Sequence, residues 1–263
     1  MTPQEQYIKK HKRYHRMISF TRLCIVVVFL LVWEVSANTG MIDPFFFSSP
    51  SRVCKSFATL YRENSLSTHI GVTLFETLLS FLLVFGISMA LATLLWYSEK
   101  ASAVLEPYLV VLNSLPKSAL APLFIVWLGT GIKTIIVAGI SVAIFGAIIS
   151  LYTGFSLTEP EKCMLITTLG GNRRQIFQKV VLPSNILLIL STMKVNIGLS
   201  LVGVIIGEFL AARRGLGYLI IYGSQTFKMS MVITSIVILC VIAMLLYLGL
   251  QLTEHWYKKK LSA

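Results

Sequence analysis

The sequence predicts an all-α integral membrane protein with six transmembrane helices and both termini in the cytoplasm. Three observations lead there. The first is composition: 56% of the 263 residues are hydrophobic and only 13% are charged, with a mean hydropathy of +0.78, a balance that belongs in lipid. The second is length, because apolar runs recur that can cross a hydrocarbon core of about 30 Å at about 1.5 Å per residue. The third is the placement of cations. Of 23 Lys and Arg, fourteen fall on one side of the predicted spans, seven on the other and two within spans. That excess marks the cytoplasmic side.

The same composition limits function. A net charge of +12 would suggest nucleic acid for a soluble protein, but here it flanks apolar spans, where cations hold helix ends at the anionic leaflet. Membrane lipid is therefore the expected partner and nucleic acid is not. Cys24, Cys54, Cys163 and Cys240 lie far apart, and His11, His15, His69 and His255 form no ligand set, so no disulfide framework, metal or cofactor is expected. The chain has no G-x4-G-K-[S/T] loop and no nucleophile set beside a base. It is expected to be no enzyme and to draw its energy from elsewhere.

Residues 1–22 form a basic cytoplasmic N-terminus with Lys9, Lys10, Lys12, Arg13, Arg16 and Arg22, and residues 23–263 the membrane domain. The apolar run Leu23 to Val35 is either the first span or a signal peptide cut near Val35-Ser36-Ala37. Turn residues from Asn38 onward then frame an amphipathic helix over Arg52 to Tyr61 on the outer surface. The second span is Gly71 to Trp96, with Glu76 expected near the outer interface, solvated or paired. Leu105 to Gly131 is the third and contains Pro107, Pro116 and Pro122, which remove amide donors and bend the helix. Broken helices in transporters mark pathways. Lys117 either faces that pathway or snorkels to neutralise a helix end, since a bare ammonium at the bilayer centre costs about 2.5 to 3.5 kcal/mol.

Ile132 to Leu151 is the fourth span, Ser184 to Ala212 the fifth and Met229 to Leu250 the sixth, followed by Lys258, Lys259 and Lys260. Glycines and serines in the fifth span predict close helix packing. Glu208 near its outer end either lines an outer gate or pairs with Arg213 or Arg214.

Between the fourth and fifth spans lies a polar cytoplasmic loop, residues 156–183. Thr158-Glu159-Pro160-Glu161 has the pattern of a capping box, Gly170 and Gly171 suit a left-handed helix end, and Asn172 can cap a second helix with Ile176, Phe177, Val180 and Val181 at helical spacing. Two short helices at an angle are expected, with basic flanks from Lys162, Arg173, Arg174 and Lys179.

Gly170, nine residues, Val180, one residue, Leu182 and Pro183 resemble the G-x9-I-x-L-P tail of the EAA loop of ABC importer permeases. The run TLGGNRRQIFQKVVLP is similar to the form in the nitrate, sulfonate, taurine and pyrimidine-precursor group. Pro116, Lys117, Ala119, Pro122, Leu123, Trp127 and Gly129 match a second pattern of that group, and Gly215 to Ile220 its G-L-G-Y-L-I segment. Met164, Leu165 and Ile166 stand where Glu-Ala-Ala is usual, with Glu161 one turn earlier as the candidate acidic contact.

The resemblance implies the type I ABC importer permease fold, in a bacterial inner membrane. It implies two copies of an ABC ATPase subunit as partners, a periplasmic or lipid-anchored binding protein, and a permease homodimer. The coupling residues it implies are Glu161, Leu169, Gly170, Gly171, Arg173, Phe177, Val180, Leu182 and Pro183. Candidate pathway residues are Asn113, Pro116, Lys117, Pro122, Trp127, Lys194 and Glu208. The implied cargo is a small solute, either an anion such as a sulfonate, nitrate or taurine, or a pyrimidine or thiamine precursor. An ion-coupled carrier is the alternative, which would need intramembrane acids and two related halves.

Overall fold

The computed structural model describes residues 3–63 and 65–261, and all the regular structure there is helical. Five of the described helices are long and apolar enough to cross a membrane, and the number is six where a bent pair counts as one span. Helix α1 (Pro3–Asn38) runs without interruption through residue 22 and carries the first span. Val35-Ser36-Ala37 lies in its last turns, with Ala37 buried. Two side chains fasten α1 to Phe47 and Ser51. Trp33 Nε1 donates to the Phe47 carbonyl at 3.3 Å, and Glu34 accepts from the Ser51 amide at 3.0 Å and its hydroxyl at 2.8 Å.

Short helix α2 (Pro44–Phe47) and amphipathic helix α3 (Pro50–Arg62) each begin with proline at the first position behind a capping side chain, Asp43 and Ser49. Helix α4 (Leu66–Tyr97) is 32 residues, about 48 Å at about 1.5 Å per residue, so it extends beyond the hydrocarbon core. The third span is α5 (Glu99–Ser114) and α6 (Lys117–Leu128), which meet at 95°. The prolines do not contribute equally to that bend. Pro107 and Pro122 sit inside helices, and the chain breaks at Leu115-Pro116, where Leu115 is extended as a residue before proline must be.

Helix α7 (Ile132–Ser156) leads into the loop, which folds as α8 (Pro160–Thr168), α9 (Arg173–Ile176), a π-helical turn (Phe177–Val181) and α10 (Leu182–Ser184). Helix α11 (Ile186–Ala211) returns across the membrane, α12 (Leu216–Gln225) lies at its far end, and α13 (Met229–Leu261) is the last span. The G-L-G-Y-L-I segment is thus the first turns of a helix, α12.

Helices α4, α7 and α11 pack most closely and form the core, whereas α1 touches mainly α2 and α3. Small residues allow the approach. A Cβ on Gly203 would lie 2.7 Å from the Ala138 carbonyl oxygen, and one on Gly139 would lie 2.6 Å from Ser80 Oγ. Two apolar clusters close the ends of this core. Leu60, Leu66, Leu216, Leu219, Ile238 and Ile242 gather at the α12 end, and Ala92, Leu151, Phe155, Phe177, Val181 and Ile189 at the loop end.

Candidate functional site

The loop between α7 and α11 folds into a rigid elbow, and each bend has a local cause. Pro160 takes the first position of α8, so the cap falls on Glu159, whose extended backbone suits a residue before proline. The capping box expected at Thr158 is therefore absent. Thr158 lies one residue outside the helix, and its hydroxyl accepts from Asn185 Nδ2 at 2.8 Å, tying the elbow's two ends together.

The exit from α8 is a Schellman turn. The Gly171 amide donates to the Ile166 carbonyl and the Gly170 amide to the Thr167 carbonyl, both at 2.9 Å. Gly170 holds φ +80°. Gly171 has ordinary φ but no space, since a Cβ there would lie 2.4 Å from Ile166 Cγ2. Asn172 and Gln175 then cap reciprocally, Gln175 N–H to Asn172 Oδ1 at 2.9 Å and Asn172 N–H to Gln175 Oε1 at 2.8 Å.

The second arm is anchored by Phe177, which meets the rings of Trp96, Phe155 and Tyr97 at 5.2, 5.5 and 5.6 Å. Val180 and Val181 are buried beside it. The π-helical turn precedes Pro183, which has no amide to give to an α-helical ladder. Arg173 bridges to the membrane helices, donating to the Tyr97 carbonyl at 2.7 Å and to Glu99 Oε1 at 3.1 Å.

One face of the elbow is uncovered. Met164, Leu165 and Leu169 are 68%, 60% and 75% exposed, beside exposed Glu161, Lys162 and Arg174. It is an apolar patch with a polar rim, on the side that the cations assign to the cytoplasm, and such patches mark protein or membrane contacts.

The second place of interest is the break between α5 and α6. Lys117 donates its ammonium to the Leu112 carbonyl, one of those freed by the break, and lies 5.1 Å from the centre of the Phe145 ring. Asn113 Oδ1 comes close to Gly146 of α7. Tyr108, Val111, Val126 and Trp127 leave the outer side of both helices uncovered.

Residues 83–261 match the family model described as the binding-protein-dependent transport system inner membrane component. This chain belongs to that family. The permease is 30% identical over 233 residues to a probable ABC transporter permease protein of Haemophilus influenzae, covering 89% of this chain and 94% of that protein. It is 27% identical over 239 residues to the formylaminopyrimidine transport permease protein ThiX of Halalkalibacterium halodurans, again covering 89% of this chain and 94% of that protein. Its fold is similar to a chain in the crystal structure of a bacterial ABC transporter involved in the import of the acidic polysaccharide alginate, with a TM-score of 0.67 at 15% identity over 95% of this chain and 98% of that one. The permease is a multi-pass, non-catalytic inner-membrane subunit that works with an ATPase and a binding protein.

The candidate coupling residues of the permease all lie in the elbow, exposed at Glu161, Leu169, Gly170, Arg173 and Pro183 and buried at Phe177 and Val180. The candidate pathway residues fall in three places. Asn113, Pro116 and Lys117 surround the break, with exposed Pro122 and Trp127 further along α6. Lys194 faces away from them and forms an ion pair with Glu254 of α13, which Lys258 also contacts at 2.7 Å. Glu208 is buried at the α12 end and bonds to Thr73 and the Gly217 amide, so the pairing expected with Arg213 or Arg214 does not occur. Glu76, expected at a wet interface, is 2% exposed.

Sequence reasoning missed Thr73, Asn185 and Glu254. Glu254 had a visible signal, because an intramembrane lysine such as Lys194 calls for an acid of matching depth. Thr73 and Asn185 had none.

Proposed function

We propose that two copies of this permease enclose the solute pathway, each resting its elbow on one of two ATPase subunits. The uncovered apolar tip at Met164, Leu165 and Leu169, on a frame fixed by two interlocking caps, carries the reading. ATP-driven closure of the ATPases moves the two elbows and turns the pathway from outward to inward facing. Pairing of copies is supported by the break itself. Backbone between Ser114 and Lys117 leaves helical geometry in mid-span, and such backbone survives at membrane depth only against protein or a water-filled cavity.

The cargo reading that we favour is a pyrimidine-precursor type solute, supported by the relative named for formylaminopyrimidine and by exposed Tyr108 of α5 and Trp127 near the end of α6, rings that suit a flat solute. A sulfonate, nitrate or taurine-like anion is the second reading, favoured by the Lys117 ammonium at the break. Uptake of labelled formylaminopyrimidine and of an alkanesulfonate by cells with and without this permease separates them. Loss of neither uptake on deletion refutes both.

The coupling role is tested by Gly170→Val in proteoliposomes holding permease, ATPase and binding protein. ATP hydrolysis is expected to continue while uptake per ATP falls. Unchanged, tightly coupled uptake overturns the assignment of the elbow.

A further inference from the structure

At the α12 end of the core two carboxyls are buried without a cation. Glu208 of α11 is 1% exposed and Glu76 of α4 is 2% exposed. Among the described residues neither makes an ion pair. The charged or titratable groups at this end include His69 on α4, Tyr218 of α12 stacked on it at 6.0 Å, exposed Lys133 at the start of α7, and exposed Arg213 and Arg214 in the turn before α12.

Glu208 occupies the position of a helix cap that the α12 sequence does not itself supply. Gly215 stands at the cap position with φ +117° and no side chain. The Glu208 carboxyl fills that space. Its Oε2 accepts from the Gly217 amide at 2.5 Å and its Oε1 accepts from the Thr73 hydroxyl at 2.6 Å. Thr73 Oγ1 in turn accepts from the Leu216 amide at 2.8 Å, and His69 Nδ1 from the Gly215 amide at 2.9 Å. Three successive amides at the start of α12, those of Gly215, Leu216 and Gly217, are therefore received by side chains of α4 and α11. The glycines make room for this, since a Cβ on Gly215 would lie 2.4 Å from the Glu208 carboxyl carbon and one on Gly217 would lie 2.8 Å from Oε2.

Glu76 lies three residues from Thr73 on α4, and its Oε2 has no hydrogen-bond partner among the described residues.

We propose that Glu208 is the positioning residue of α12, a buried carboxyl that clamps this helix to α4 and α11. Substitution separates it from Glu76, the other buried carboxyl at this end, which receives no α12 amide among the described residues. Glu208→Gln puts a donor where one of two accepting oxygens stands, so either the Gly217 amide or the Thr73 hydroxyl loses its acceptor.

The test uses full-length permease in right-side-out vesicles, with the four native cysteines replaced by serine and Leu219→Cys as a reporter on the buried side of α12. An impermeant maleimide is expected to label the parent slowly. Glu208→Gln should raise the labelling rate about tenfold or more, equivalent to about 1.4 kcal/mol in the docking equilibrium, and Glu76→Gln should leave it unchanged. Thr73→Val, which keeps the shape and removes the hydroxyl, should raise it by a smaller factor and serves where Glu208→Gln does not fold. Equal release of α12 by both glutamine variants, or no release by Glu208→Gln or Thr73→Val, overturns the proposal.

Discussion

Gly170 and Gly171 are neighbours with opposite reasons to be glycine, and the difference can be measured. At Gly170 φ is +80° and no atom lies within 4 Å of a built Cβ. A side chain there has room, so alanine costs only the left-handed backbone, about 1–2 kcal/mol. Valine costs more through its branched Cβ, and asparagine less because it tolerates that region. At Gly171 φ is ordinary, but a Cβ would come 2.8 Å from the Ile166 carbonyl oxygen, which cannot swing aside, so alanine costs about 1–3 kcal/mol through overpacking. Both substitutions weaken the same two amide hydrogen bonds that close α8. Native-state hydrogen exchange on reconstituted permease reads them directly. A local loss of about 1–2 kcal/mol speeds exchange of those amides about 5- to 30-fold. The expected order of exchange rates, slowest first, is parent, Gly170→Asn, Gly170→Ala, Gly170→Val. Gly170→Asn exchanging as fast as Gly170→Val, or Gly170→Ala matching the parent, refutes the backbone argument.

Other elements give further expectations. Phe177→Ala removes a ring that three others surround and should destabilise the elbow's seat by about 3–5 kcal/mol, while Phe177→Leu loses less; thermal unfolding in detergent checks both. Gly203→Ala should lower the unfolding midpoint because its Cβ meets the α7 backbone, whereas Gly198→Ala, with nothing within 4 Å, should hold or raise it through helix propensity. Charge reversal at Lys194 or at Glu254 alone should reduce folded yield, and the double exchange should recover it by restoring the pair between α11 and α13. Recovery no better than the worse single variant sinks that pairing.

Much of the fold is legible in the sequence, because membrane spans announce themselves by length and the elbow by its caps. Asn172 capping α9 and Gly170 turning left-handed are local chemistry, readable from a few residues. The misreading at Thr158 is also local. A Thr-x-x-Glu pattern takes no account of the constraint that Pro160 imposes on the residue before it. The hidden part is nonlocal. Thr73 and Glu208 are 135 residues apart, and nothing in either segment names the other as its partner. Lys194 reads as a pathway cation since a lysine in a span calls attention to itself, while Glu254 lies in an outwardly ordinary tail. Three prolines promise a bend, but only the structure distinguishes Pro116, which ends a helix, from Pro107 and Pro122, which helices absorb.

Arg173 joins two parts of the molecule that perform different tasks. Its guanidinium grips the Tyr97–Glu99 junction, the foot of α5, and the 16 residues of α5 form an arm of about 24 Å at about 1.5 Å per residue. At the far end of that arm stand Pro116 and Lys117. By this geometry a tilt of about 5° at the foot sweeps the tip by about 2 Å, the stroke of an arm of that length. On the coupling proposed above, movement at the elbow would be carried along this arm to Pro116 and Lys117.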